Sequence, residues 1–283
     1  MEDKSSFLTF AIVTPITLIS DYGHDSVYTG MLKGSICKRM PEAQVVDITH
    51  SVGKFDTAHV AFLLRVSVPS FPKGTVHIIA VNAEESADRP HRIVKMFDQY
   101  FIGADTGVFH LMAGRKPDAV FDLSGVQADG DHPTFPERSL FVPAATHLAK
   151  GGIPEMLGRP AALVNLPENV RPVIEDNALV GHVRHVDGRG NCITDIDLAL
   201  FKEAGKGREF VVNMRRARSD IRRISTTYHE GTPGEPLAVF NSMGFMEVAI
   251  CMGGSGTGYG GATELLGLKI GDPVRIEFPS RTA

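Results

Sequence analysis

Residues 16–40 read ITLISDYGHDSVYTGMLKGSICKRM, and this stretch decides the fold class. Ile16–Ser20 is a short β-prone run, Asp21–Ser26 is rich in turn formers, and Tyr28–Met40 carries a helical pattern. The alternation continues with a strand at Val45–Ile48, a helix at Thr57–Val68 and a strand at Thr75–Val81, apolar apart from Thr75 and His77. A strand at Gln99–Ile102, the turn Ala104–Gly107 and a helix at Val108–Ala113 follow, and a further helix at Pro143–Lys150 stops at Gly151-Gly152. Apolar strands separated by helices predict a parallel or mixed sheet covered by helices. After Gly158 a stretch punctuated by Pro160, Pro167 and Pro172 reads as a linker. From Leu179 short strands dominate (Leu179–Val186, Glu209–Asn213, Leu237–Phe240, Phe245–Ile250, Pro273–Phe278), the texture of a small barrel or sandwich. The expected class is α/β: an N-terminal α/β domain with a mixed sheet flanked by helices over residues 14–160, and a C-terminal small β-barrel domain over residues 175–281.

The chain has 283 residues, 43% of them hydrophobic, enough for a substantial core. Lys and Arg total 29 against 33 Asp and Glu, a formal charge of −4, which argues against a chain-wide grip on nucleic acid or an anionic membrane. The local runs Arg215–Arg218 and Arg222–Arg223 read as a solvated face. Cys37, Cys192 and Cys251 fit neither a disulfide framework nor a CxxC metal pattern, as expected of a reducing compartment. The start Met1-Glu2-Asp3-Lys4 is acidic where a secretory signal is basic, and the apolar stretch Phe7–Ile19 is interrupted by Thr9, Thr14, Pro15 and Thr17 and too short to span a bilayer. The expectation is a soluble, cytoplasmic protein.

Gly256-x-Gly258-x-x-Gly261 matches the dinucleotide fingerprint. It is rejected, because only Ala262–Leu268 separates it from Lys269–Asp272, whereas that fingerprint needs a long helix and a returning parallel strand within roughly thirty residues. Asp21 stands where open α/β sheets bind ligands, at the carboxyl end of the first strand. There it can accept hydrogen bonds from a ribose diol or cap the following helix; position alone leaves both open. Asp47-Ile48-Thr49-His50 repeats the arrangement at the second strand, with His50 read as a structural histidine. The loop Asn82–Arg89 mixes acidic and basic groups at a strand end, a site or a wet surface. Asp187-Gly188-Arg189-Gly190-Asn191 is either a base-reading loop, through the Asn191 amide, or a Gly-rich hairpin turn. His24, His50, His59 and His77 lack the paired spacing of a metal site, so no metal is expected.

In this order the segments Ser20-Asp21-Tyr22-Gly23, Tyr28-x-Gly30-x-x-Lys33-Gly34, Val46–His50 and Gly74–His77 resemble the S-adenosylmethionine (SAM) hydroxide adenosyltransferase family, which includes the fluorinases and chlorinases. The likeness continues through Ala104–Gly107, Thr134-Phe135-x-x-Arg138, Pro143–Ala149, Asp187…Gly190-Asn191-x-x-Thr194 and Asn241-Ser242-x-Gly244, from Ile16 to Phe278. The resemblance implies a homotrimer with SAM held between the N-domain of one subunit and the C-domain of its neighbour, and displacement at the ribose 5′ carbon with no cofactor. It implies that Asp21 holds the ribose diol and Phe55 lines the sugar and sulfonium pocket. Asp187 and Asn191 would meet the methionine and adenine ends with Ser242 beside them, and Tyr228 would offer an adenine face. Ser26, Phe135 and Met252 complete the substrate-contacting set.

Family hydrolases resemble one another in an Asp-Arg-His group that activates water; here those positions hold Asn82, Arg89 and Pro136. Asn82 is a poor base and Pro136 can neither titrate nor donate. The positions lining the halide pocket of fluorinase-like relatives hold Glu85 and Glu137, two carboxylates that would repel a halide. The expectation is therefore hydrolysis of SAM to adenosine and methionine, with Glu85 or Glu137, held by Arg89 or Arg138, as replacement base. The alternatives are a degenerate SAM or adenosine binder, a halide-dependent adenosyltransferase, and an enzyme on a related nucleoside, suggested by Asp25, Ser26 and Arg189.

Overall fold

A computed structural model describes residues 14–130, 134–165, 171–214, 220–254 and 256–279. The Arg215–Arg218 run and most of the Phe7–Ile19 stretch lie outside the described residues. The chain divides into two compact units, Met1–Glu168 and Asn169–Ala283.

In the first unit β1 (Ile16–Ser20), α1 (Val27–Arg39), β2 (Val45–Thr49), α2 (Thr57–Ser67) and β3 (Val76–Ala80) follow the expected alternation. β4 (His91–Met96), β5 (Gln99–Ala104), α3 (Val108–Ala113), β6 (Ala119–Phe121) and α4 (Val142–Ala149) complete it. The six strands order as β2-β1-β3-β5-β4-β6; β2, β1, β3 and β5 run parallel, while β4 is antiparallel to both β5 and β6. β1 and β3 are buried at every residue, as strands covered on both faces must be. Ile16, Leu18, Ile78 and Ile102 pack with Leu32 and Ile36 of α1 and Ala144, Ala145 and Leu148 of α4 in one core.

A strand at His91–Met96 is not among the expected elements, although its alternating burial is strand-like. The β4–β5 hairpin turns through Phe97 and Asp98, both left-handed (φ 57° and 58°), a two-residue turn in which Gly or Asn is the usual signal. The stretch after Gly158 is also not a free linker. The Ala161 N–H donates to Val120 O at 2.9 Å, and Asp105 Oδ2 accepts the Val164 N–H at 2.6 Å, tying residues 160–165 to the first unit.

His77 sits in the opposite face of the sheet with no exposure. The Gln99 amide nitrogen donates to the Val68 and Phe71 carbonyls, so its oxygen accepts the His77 Nε2–H at 2.6 Å. His77 Nδ1 then accepts from the Thr17 hydroxyl at 2.7 Å, and the ring stacks on Phe101. Both ring nitrogens are satisfied by the neutral form, and burial depresses the His77 pKa to about 4. The unfolded chain therefore binds the extra proton first: as pH falls from 6.5 toward 4, the native state loses roughly 3 kcal/mol through this one group. Above pH 6.5 His77 is neutral in both states and contributes nothing to the slope. Urea midpoints at pH 7, 5.5 and 4.5 should fall less steeply for His77→Gln than for the natural chain; equal slopes would refute this reading.

The second unit contains β7 (Val173–Glu175), β8 (Ala178–Val186), β9 (Cys192–Asp197), α5 (Leu198–Gly205), β10 (Val211–Met214) and β11 (Ile224–Ser225). β12 (Pro236–Phe240), β13 (Phe245–Ile250), α6 (Ala262–Leu266) and β14 (Pro273–Glu277) follow. The strands order as β10-β14-β8-β9-β13-β12-β11, with β7 alongside β8. The Val212 N–H donates to Ile221 O at 2.8 Å, so the chain just before β11 returns to β10 and the sheet curls into a barrel. Register shifts in β8 and β13 provide the bends this curling needs. Leu179, Val183, Val212, Val248, Val274 and Ile276 lie in its core. β9 and the helices α5 and α6 were not among the expected elements. α5 starts directly from β9 because Asp197 caps it, its Oδ1 accepting the Leu200 N–H at 2.8 Å. The rejection of the Gly256 motif agrees with the structure: α6 has five residues, and β14 pairs antiparallel with β8 and β10.

Candidate functional site

The strand order places β1 between β2 and β3. The connection from β1 leads to one side and that from β3 to the other, so the crevice outside their carboxyl ends is the switch point of the sheet. Asp21 follows β1 there, and Asn82 lies two residues beyond β3.

Asp21 Oδ2 accepts the Phe55 N–H at 3.1 Å. Phe55 holds a left-handed backbone (φ 59°) and is 67% exposed. The turn carrying Asp21 is braced from beneath: the Gly23 N–H donates to His50 O at 2.8 Å, and Ser20 Oγ lies 2.7 Å from His50 Nδ1. His50 Nε2 is 3.1 Å from Asp47 Oδ1, and Lys33 reaches Asp47 Oδ2. Burial raises the Asp47 pKa, but the bonds from Lys33 and His50 outweigh it and hold the carboxyl below its ordinary value. His50 is structural, as its sequence context suggests. Ser26 caps α1, its hydroxyl accepting the Tyr28 N–H at 3.3 Å.

In the loop after β3, Arg89 Nη1 donates to Asn82 Oδ1 and Arg89 Nε to Ser86 Oγ. Asn82 is also left-handed (φ 49°). Glu85 is exposed and faces His91, its Oε1 accepting the His91 N–H at 3.5 Å. Glu137 is the opposite case, 5% exposed, and Tyr22 donates its hydroxyl to Glu137 Oε1. Arg138, expected beside one of the glutamates, instead donates to Ser35 Oγ at 3.2 Å, and Arg89 is committed to Asn82 and Ser86. The expected Arg–Glu partnership is thus replaced by Tyr22–Glu137 and His91–Glu85. Phe135 is buried and meets Tyr22 and Tyr28 edge-on, fixing the wall beside Glu137.

In the second unit Asp187–Asn191 is the β8–β9 hairpin turn, and its polar groups are organised. Asp187 Oδ1 accepts the N–H groups of Arg189 and Asn191 at 2.8 and 2.9 Å, and Oδ2 accepts the Asn191 side-chain amide at 3.1 Å. Arg189, Asn191, Tyr228, His229 and Met252 line a cavity of about 380 Å³. Met252 is left-handed as well (φ 53°). Burial, then the charge of Glu247, pushes the Tyr228 hydroxyl up to about 12. Glu247 is buried and Oε2 accepts from the Asn241 amide at 2.9 Å, while Asn241 Oδ1 holds the 241–245 turn through the N–H groups of Met243 and Phe245. Ser242 is exposed on that turn, outside the cavity lining.

Among the described residues, three of the six left-handed non-glycine residues have plain explanations: Phe97 and Asp98 make a hairpin turn and Lys206 ends α5. The other three, Phe55, Asn82 and Met252, are all sequence-predicted site residues. Strain of this kind persists where surrounding structure enforces it, commonly at ligand sites. Tyr22, His229 and Glu247 were missed; the one available signal was a lone charge in the otherwise apolar run Phe245–Ile250. A larger cavity, about 670 Å³, lies between Arg39 of α1 and Lys150 and contains none of the predicted residues. Among the described residues no cluster of three or more His, Cys, Asp or Glu side chains could hold a metal ion, and no helix is long and apolar enough to cross a membrane.

The family model for the SAM hydroxide adenosyltransferase N-terminal domain matches residues 16–158, and that for its C-terminal domain matches residues 181–275. A relative from Thermus thermophilus named (R)-S-adenosyl-L-methionine hydrolase is 31% identical over 93% of this chain and 99% of its own length. Relatives of the same name from Salinispora tropica and Methanocaldococcus jannaschii are 28% and 25% identical, covering 92% and 94% of this chain and 97% of each relative. Among solved structures, an uncharacterized conserved protein from Thermotoga maritima superposes with a TM-score of 0.83 at 27% identity, covering 92% of this chain and 99% of that one. A conserved hypothetical protein from Thermus thermophilus gives 0.68 at 29% identity, covering 93% and 99%.

Proposed function

The chain belongs to the SAM hydroxide adenosyltransferase family, and from that premise we propose that it hydrolyses SAM to adenosine and L-methionine. Water attacks the ribose 5′ carbon and methionine leaves from the sulfonium. Because the leaving group departs neutral, the protein's work is to hold water in line with the C–S bond and to limit competing solvent. Asp21 grips the ribose diol, and Phe55 covers the sugar and the sulfonium. Asp187 and Asn191 read the methionine and adenine ends, Tyr228 and Met252 wall the cavity, and Ser242 stands on the 241–245 turn outside it. Ser26 and Phe135 serve the pocket by fixing the start of α1 and the Tyr22–Tyr28 wall.

The observation that carries this reading is Asp21 at the switch point, anchored by the strained Phe55 N–H with Phe55 left open to a ligand. Asp21 and Glu84 add their negative charge to that of Glu137 in the first unit's half of the site, which favours a cationic sulfonium and disfavours a halide nucleophile. Arg89 and Asn82 shape the loop that borders the attacking water.

The assembly we propose is a homotrimer in the cytoplasm, with the N-terminal unit of one subunit completing its site with the C-terminal unit of a neighbour. Exposed Val27 (70%), Tyr28 (50%) and Phe55 at the Asp21 end give such an interface apolar surface, and the three thiols are unpaired as in a reducing compartment. Sedimentation should give three times the monomer mass, and a monomer that turns SAM over would refute the shared site. Purified protein should release adenosine and methionine from SAM in equal amounts without halide, and leave S-adenosylhomocysteine, whose leaving group is a thiolate, intact. Equal turnover of both would contradict sulfonium displacement.

A further inference from the structure

We propose that Glu137, steadied by the Tyr22 hydroxyl, is the base that takes the proton from the attacking water, a role that rests on the hydrolase reading above. The placement is built by the backbone. Residues Glu137–Phe141 form a π-helical turn leading into α4, with the Val142 N–H reaching back to Glu137 O. Such one-residue expansions re-aim a side chain and are frequent at functional sites. Here Glu137, the first residue of the turn, is buried.

Glu137 is surrounded by groups from several elements. Tyr22 donates to it and Asp21 faces it from the β1–α1 turn, while Glu84 faces it from the loop after β3. Tyr28 of α1 packs on Tyr22, and Arg138 is turned away to Ser35. No arginine or lysine therefore neutralises this carboxylate through a hydrogen bond or ion pair among the described residues. Burial, joined by the negative charges of Asp21 and Glu84, pushes the Glu137 pKa above its ordinary value against the opposing Tyr22 bond. A carboxylate so raised is a better base for water, whereas Glu85 is exposed and faces His91. Asn82 cannot take the role, since a side-chain amide does not take up a proton in this pH range, and its oxygen accepts from Arg89.

The step balances without a further reactant. The water oxygen bonds to the 5′ carbon while the C5′–S bond breaks and its electron pair leaves with sulfur as methionine. The water proton passes to the Glu137 carboxylate and from there to solvent.

The test compares the natural chain with Glu137→Gln and Tyr22→Phe for SAM turnover across pH 5–9, with adenosine affinity measured by calorimetry. Glu137→Gln should lower kcat by roughly 100-fold or more, as removal of a general base does, with adenosine affinity kept within threefold. Tyr22→Phe removes a donor to the charged carboxylate, so the acid limb of its kcat/KM profile should move about one pH unit upward while its plateau stays within tenfold. Glu137→Gln turnover within threefold of the natural chain, or an unmoved limb in Tyr22→Phe, overturns the proposal and leaves the hydrolase reading standing. Absence of turnover in the natural chain overturns both.

Discussion

Replacing Asp21 by Asn is expected to weaken adenosine binding by about 2–3 kcal/mol, roughly 30- to 150-fold, with little effect on folding. The substitution keeps an oxygen to accept the Phe55 N–H, so the turn after β1 retains its anchor. What is lost is the charge: an ionised acceptor binds two ribose hydroxyls much more strongly than an amide does. Calorimetry with 2′-deoxyadenosine isolates the contact. The natural chain should bind the deoxy ligand less well than adenosine, and that difference should shrink in the variant because half of the diol grip is already gone. An Asp21→Asn affinity within threefold of the natural chain would remove Asp21 from the site.

Asp195→Ala should destabilise the second unit by about 3–5 kcal/mol, the cost of breaking a buried ion pair from one side. Asp195 Oδ2 accepts from Arg184 Nε and lies 2.7 Å from Nη2, a two-pronged contact, and Oδ1 accepts the His182 N–H at 2.8 Å. Asp195 and Arg184 are largely withdrawn from water, so truncation removes the carboxylate from a buried guanidinium and leaves the His182 N–H of β8 without its acceptor. A urea titration read by near-ultraviolet circular dichroism should show the loss, and exchanging Arg184 for Met in the same chain should recover part of it. A midpoint unchanged by Asp195→Ala would mean the pair is solvated in the native state.

The alternation around Asp21 made the parallel part of the sheet legible, because fully buried strands and amphipathic helices leave different periodicities. β4 was not, since its turn at Phe97-Asp98 lacks the residues that usually signal a left-handed hairpin. β9 and α5 share a boundary at Asp197, so strand and helix patterns merge where the cap sits. The individual site residues were visible as strand-end loops, but their pairing was not. Tyr22 lies 115 residues from Glu137, and only the fold reveals that the tyrosine, rather than Arg138, is its partner. Of the two readings its sequence left open, the Asp187–Asn191 turn takes the hairpin form. It is a hairpin whose backbone N–H groups are gathered by Asp187, and that ordering places Asn191 in the cavity wall.

In the proposed reaction water displaces methionine at the ribose 5′ carbon. Turnover of SAM in ¹⁸O-enriched water, with both products resolved by mass spectrometry, tests it most directly. The expected result is one ¹⁸O in the 5′-hydroxyl of adenosine and none in methionine. Unlabelled adenosine, or label carried by methionine, would contradict it.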